Sequence, residues 1–199
     1  GELERRGMEM EHAPIVCFGR TSSDPHYSPP DVGSQVLGPG AVLMDLFCRV
    51  AGSDGCYADI TWMAHVGAPG DAFVRTFEAV IAARDEGVRF LRARLEGGDT
   101  VMGFEVDGAV RRVLVDEGYE PFLLHRTGHS LGRVTAHGEA AHFDGIETLD
   151  ERLILPGLGF TIEPGVYTPD FGVRSELNVL TLERGLEVTT AVQTEIDVL

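Results

Sequence analysis

The chain has 199 residues, 43% hydrophobic and 24% charged, with a formal net charge of −16. This suits a single globular domain with a real core. The acid excess argues against a reader of phosphate backbones, which needs basic patches, and no stretch approaches the roughly 20 apolar residues of a membrane span. All 16 basic residues are Arg, a bias to which we attach no function. Cys17, Cys48 and Cys56 are odd in number and lack CxxC spacing. Neither a disulfide framework nor a zinc ribbon is expected, and a reducing cytoplasm is.

Residues 1–40 read as turn-rich, with one apolar run, "APIVCFG", before "TSSDPHYSPPD". "AVLMDLF" (41–47) and "YADITW" (57–62) read as strands, each interrupted by one acid, Asp45 and Asp59. The period then changes. Phe73, Phe77, Val80, Ile81, Val88, Leu91 and Leu95 fall at helical spacing, which predicts a helix from Asp71 as N-cap to a stop at Gly97-Gly98. Val106, Val110, Val113 and Leu114 predict a shorter helix ending at Gly118. "HRTGHSLG" (125–132) sets His125 and His129 four residues apart, but its Thr and Gly content disfavours a helix. A Gly-punctuated strand or turn is expected there. A loop-like acidic segment to Asp150 and two more strand stretches, "GFTIEPGVY" and "GVRSELNVLTL", follow. Strands, then helices, then strands predict an α+β fold with largely antiparallel pairing.

A carboxylate within a buried strand is costly unless it is paired, hydrogen-bonded or bound to metal. Asp45, Asp59, Glu163 and Glu176 all pose that problem. Alternation puts Tyr57 and Thr61 on the face of Asp59, and Arg174 and Asn178 on the face of Glu176. The expectation is a strand with one face on a core and the other on a site. An internal echo supports two related halves: "GPGAVLMD" (38–45) resembles "LPGLGFTIE" (155–163), and the acid pairs are spaced alike, 14 residues from Asp45 to Asp59 and 13 from Glu163 to Glu176. Four carboxylates brought together repel one another unless cations sit between them. With one imidazole from "HRTGHSLG" they form an oxygen-rich set suited to two divalent ions, Mn, Fe or Co, or Zn in a less typical role. Two such ions lower the pKa of a shared water to roughly 7, which points to hydrolysis.

"LMDLF", "YADITW", "HRTGHSLG", "TIEPGVY" and "GVRSELNV", in this order, resemble the pita-bread metallopeptidases, the group of methionine aminopeptidase, aminopeptidase P and prolidase. The resemblance covers roughly residues 24–199 and is nearest the Xaa-Pro peptidase branch. It implies an antiparallel sheet with helices on one side and pseudo-two-fold symmetry. It also implies two divalent metal ions, manganese favoured, held by Asp45, Asp59, His129, Glu163 and Glu176, with Asp59 and Glu176 bridging. Glu163 would contact a bridging hydroxide and pass its proton to the leaving amine. His137 would hydrogen-bond the scissile carbonyl or oxyanion, although "GRVTAH" is one residue longer than the family's usual stretch. His125 and His26 would lie near the substrate, and Thr61 and Arg174 behind the ligands, Arg174 orienting a carboxylate. The implied substrate is a peptide or dipeptide with proline in second position.

The helical segment that precedes the first ribbon in that family has no counterpart here beyond "GELERRGMEM". The expectation is therefore a single catalytic domain over 1–199, a C-terminal fragment of a longer chain, which folds poorly or forms a homo-oligomer when alone. Two other readings share the fold: a lyase or other small-molecule hydrolase, and a non-catalytic peptide binder. The first is told apart by product identification, the second by loss of metal ligands, which this sequence keeps. His12, His65 and His142 match no motif and read as surface or packing residues. Tyr167 reads as either a substrate contact or a packing residue. Glu147, Asp150 and Glu151 read as a solvated acidic face.

Overall fold

A computed structural model describes residues 1–29 and 36–199; the end of the turn-rich stretch, 30–35, lies outside the described residues. The first half contains a short helix α1 (Glu2–Arg5), strands β1 (Met8–Glu9), β2 (Ile15–Phe18), β3 (Gly40–Val50) and β4 (Ala58–Val66), and helices α2 (Asp71–Gly97) and α3 (Gly103–Asp116). The second half contains β5 (Gly159–Ile162), β6 (Gly165–Tyr167), β7 (Gly172–Arg174), β8 (Leu177–Thr181), β9 (Leu186–Val188) and β10 (Asp197–Val198). The fold is α+β.

Helix α2 organises the core because its apolar stripe runs its whole length. Phe73, Phe77, Val80 and Ala83 pack with Ala41, Leu43 and Met63 of the first ribbon and with Val166 and Val173. Further along, Val88, Leu91 and Leu95 pack with Phe160, Ile162, Leu177 and Val179 of the second. Asp71 is the first helical residue rather than the cap, which is Gly70. The stop is Gly98, whose φ of 79° is left-handed and favours glycine.

The sheet runs β1-β3-β4-β10, with β2 also on β3, while β5-β8-β9 and β6-β7 form separate ladders. All pairings are antiparallel except β10 on β4. Asp45 faces Thr61 and Phe47 faces Asp59 across β3–β4, so these four share one face. That face also carries the buried Ala41, Leu43 and Met63. On β3–β4 the expected division, core on one face and site on the other, is thus corrected: core and acids share a face, while Val42, Leu46, Ile60 and Trp62 on the reverse are only partly buried. On β7–β8 Val173 and Val179 lie in the core and Arg174, Glu176 and Asn178 bond at the site. Both later stretches, read as continuous strands, are broken at their acids. Pro164 has no N–H for a ladder, and Glu163-Pro164 lies opposite Ser175-Glu176, between the β5–β8 and β6–β7 pairings.

The ribbons meet through side-chain amides. Asn178 accepts from the Asp59 N–H (2.9 Å) and donates to the Asp59 carbonyl (2.6 Å). Gln193 does the same at Met63, 2.8 and 2.6 Å. Arg84, fully buried on α2, locks this seam by donating to Ser175 Oγ (2.7 Å) and to the Gln193 carbonyl (2.8 Å). Removing one partner of such a network leaves the others desolvated and unpaired. Arg84→Met is therefore expected to lower unfolding free energy by about 3 kcal/mol, read from urea melts.

Candidate metal centre

The "HRTGHSLG" stretch is extended and runs beside β5. Glu163 N bonds Thr127 O (2.7 Å), Thr161 N bonds His129 O (2.8 Å) and Leu131 N bonds Gly159 O (2.8 Å). A Cβ at Gly128 would lie 2.2 Å from the Thr161 carbonyl oxygen, so only glycine allows this approach. Helix α3 holds the same stretch from behind. Asp107 accepts from Thr127 N (3.0 Å) and Arg111 Nε (2.7 Å), and Arg111 donates to the His125 carbonyl. Gly128→Ala is expected to cost about 3 kcal/mol or more and to weaken divalent-metal binding. Gly108→Ala, on α3 with open space around it, is expected to gain up to about 1 kcal/mol. Urea melts and metal titrations of the pair check both.

Within this frame all five candidate ligands converge. One ligand atom each from Asp59, His129 and Glu176 lie within 4.8 Å of one another, all on buried residues. His129 Nε2 stands 3.5 Å from Asp59 Oδ2 and 3.5 Å from Glu163 Oε1. Its Nδ1 is 2.9 Å from the Ser130 carbonyl, which fixes a proton on Nδ1 and turns Nε2 toward the acids. Burial opposes a charge on the ring, but Asp59 and Glu163 raise its pKa. Asp45 joins them through Arg174, whose Nη2 donates to Asp45 Oδ2 (2.5 Å) and whose Nε donates to Thr61 Oγ1 (3.0 Å). Thr61 in turn donates to Glu176 Oε2 (2.8 Å). Thr161 plays a matching part, accepting from His129 N (2.9 Å) and donating to Glu163 Oε1 (3.1 Å).

Three buried carboxylate oxygens, Asp45 Oδ1, Asp59 Oδ1 and Glu176 Oε1, have no hydrogen-bond partner. Orphaned carboxylate oxygens beside an imidazole nitrogen turned toward them fit divalent cations, and their desolvation is otherwise unexplained. The electrostatics agree. Burial, then the charge of Asp59 and Glu163, outweighs Arg174 and pushes the Asp45 carboxyl up to about 7. Burial and the negative Asp59, Glu163 and Asp45 raise Glu176 well above the usual range. Glu163 goes the other way: burial opposes its charge, but His129, Arg174 and the Thr161 hydrogen bond hold it below the usual carboxylate range.

His137 packs against the His129 ring, centroids 4.1 Å apart, and lines a cavity of about 300 Å³ with Asp45, Asp59, His129, Glu163 and the exposed His26. The longer "GRVTAH" stretch closes on itself through Gly132 N to Ala136 O (3.0 Å) and Gly138 N to Ser130 O (2.6 Å). His125 is placed differently, off this lining. Its Nδ1 lies 2.6 Å from the Arg126 carbonyl and its Nε2 2.7 Å from Tyr167 Oη. Arg174 Nη1 donates to the same Tyr167 oxygen (3.1 Å). The chain of donors therefore runs Arg174 to Tyr167 to His125 to Arg126, with His125 neutral, its pKa lowered to about 4 by burial.

Several residues near the site escaped the sequence reading. Glu11 and His12 line the cavity. His142, read as surface or packing, accepts from Ser130 N (3.2 Å) with its ring 6.4 Å from that of His129. Asp150, read as part of a solvated face, is buried and accepts from His142 N (2.7 Å) and Arg152; the pairing is what lets it be buried.

The model of metallopeptidase family M24 matches residues 2–183. The chain is 28% identical over 201 residues to the Xaa-Pro dipeptidase of Lactobacillus delbrueckii subsp. lactis, covering all of this chain and 50% of that protein. Among solved structures it resembles an X-Pro aminopeptidase from Thermotoga maritima (TM-score 0.83, 26% identity, 99% of this chain and 52% of that one). A prolidase from Thermococcus sibiricus is similar as well (TM-score 0.79, 26% identity, 94% and 47%). The chain thus spans about half the length of the curated relatives it matches. The pita-bread architecture of these proteins is the one seen here.

Proposed function

This chain belongs to metallopeptidase family M24, and from that premise we propose that it is a two-metal exopeptidase releasing the N-terminal residue from peptides or dipeptides with proline in second position. The observation that carries the proposal is the convergence of Asp45, Asp59, His129, Glu163 and Glu176 around three orphaned carboxylate oxygens. Two divalent ions held by these side chains, manganese favoured, supply charge that polarises a peptide carbonyl and acidifies water. The preference for proline is supported by relatives named Xaa-Pro dipeptidase, X-Pro aminopeptidase and prolidase.

The chain's own residues take the following parts. Glu163, ionised and with Oε1 engaged by Thr161, receives the water's proton on Oε2 and returns it to the departing proline nitrogen. His137 donates to the carbonyl oxygen as charge grows there, while His26 borders the proline side. Arg174 and Thr61 orient Asp45 and Glu176. His125, with both nitrogens committed, acts by fixing Tyr167 rather than by direct contact. No helix among the described residues is long and apolar enough to cross a membrane. The three free cysteines support placement in the cytoplasm, and a homo-oligomer is proposed with it.

The test is chromatographic. With added Mn²⁺ the protein is expected to release alanine from Ala-Pro-Ala faster than from Ala-Ala-Ala, and to lose activity on chelation. Absence of release, or equal rates on both peptides, contradicts the reading.

A further inference from the structure

The rim of the cavity carries a carboxylate that the proposed chemistry does not use. Glu11 follows β1, whose pairing with the end of β3 fixes where the N-terminal segment leaves the sheet. The Glu9–Arg49 pair and the Arg49 bond to the Arg133 carbonyl tie that segment to the loop before His137. Glu11 Oε2 accepts from Ala136 N (3.3 Å), next to His137. Its side chain remains about one-third exposed, with Oε1 3.4 Å from His12 Nε2. This is a charge held by the fold at the mouth of the site, not a side chain drifting in solvent.

Among the described residues its only ion-pair partner is the exposed His12, and no guanidinium reaches it. Arg174 is the only guanidinium on the cavity lining among the described residues. It is 4% exposed, and its donors go to Thr61, Tyr167, the Pro25 carbonyl and Asp45. Arg126, whose charge reaches His137, faces Glu147 at 3.7 Å and lies off the lining. Residues 30–35, "PDVGSQ", contribute no basic side chain.

Consider what this does to a bound peptide. Its amino end sits at the buried floor formed by the metal-ligand set, and the chain must leave past the rim, because that floor is buried. Two extended residues span roughly 7 Å, so a free dipeptide leaves its own carboxylate inside the mouth, near Glu11. Each added residue carries that charge roughly 3.4 Å outward and replaces it with amide groups that can donate to Glu11. Resting on the peptidase reading above, we infer that the site prefers peptides continuing beyond the proline, and that Glu11 is the specificity-determining residue that ranks free Xaa-Pro dipeptides below them.

The experiment compares Ala-Pro, Ala-Pro-amide and Ala-Pro-Ala on the manganese-loaded protein and its Glu11→Gln variant. For the unaltered protein, kcat/KM for the amide and the tripeptide is expected to exceed that for Ala-Pro about tenfold or more, the size of a like-charge contact in a partly solvated cleft. In Glu11→Gln, and for the unaltered protein in about 1 M salt, that ratio is expected to shrink to within about threefold. Equal rates on Ala-Pro and its amide, or a ratio that Glu11→Gln leaves untouched, would overturn the inference while leaving the peptidase reading intact. Inertness of all three peptides would sink that reading and this inference with it.

Discussion

Stripped of metal, the protein is expected to melt at progressively lower temperature as pH rises from 5 to 8. At pH 8, saturating Mn²⁺ is then expected to raise the melting temperature by about 10 °C or more. The sign follows from the acids. Asp45 moves up from 3.8 to about 7, and Glu176 moves in the same direction. A carboxyl whose pKa is higher folded than unfolded binds its proton more tightly in the folded state. Its stabilisation is complete below about pH 4 and is lost as pH climbs through about 7. Divalent ions replace those protons, and binding at about 1,000 times Kd contributes about 4 kcal/mol, or about 10 °C for a domain of this size. Asp59→Asn separates this from ordinary destabilisation. With one fewer charge in the cluster, the metal-free variant is expected to melt above the metal-free parent at pH 8, yet to gain little from Mn²⁺. A metal-free protein whose stability is flat or rises with pH would contradict the charge assignment.

Glu163→Gln is expected to lower kcat on Ala-Pro-Ala by about 10³-fold or more, with KM changed by only a few-fold. The amide keeps the shape of the side chain and can still accept from Thr161. It cannot take up a proton at the reacting centre, where an acid–base group contributes about 10²–10⁴-fold. A fall in kcat without a matching rise in KM marks an interaction made in the transition state. A large rise in KM at unchanged kcat would instead make Glu163 a substrate-binding group.

Much of this candidate site is legible in the sequence, because lone acids in apolar runs are physically conspicuous. Asp45, Asp59, Glu163 and Glu176 each pose a desolvation problem that the sequence cannot solve nearby. The helix from Asp71 announced itself by its period. What escaped was the set of side-chain-to-backbone contacts that holds the pieces in register. Asn178, Gln193 and Arg84 satisfy strand edges and carbonyls more than 90 residues away, and no periodicity encodes a partner at that distance. The two-residue β1 has too little pattern to read, so Glu11 was invisible as a rim group. The breaks at Glu163-Pro164 and Ser175-Glu176 were hidden for another reason: the flanking residues are buried on both faces, so alternation is lost. Core and site sharing one face of β3–β4 could not be told from alternation alone, which says which residues share a face and not what covers it.

The most direct measurement is anomalous diffraction from crystals soaked in Mn²⁺. The account predicts two manganese peaks per chain, both within coordination distance of side chains from the set Asp45, Asp59, His129, Glu163 and Glu176. A single peak, or ions bound elsewhere with those five side chains left uncoordinated, would contradict it.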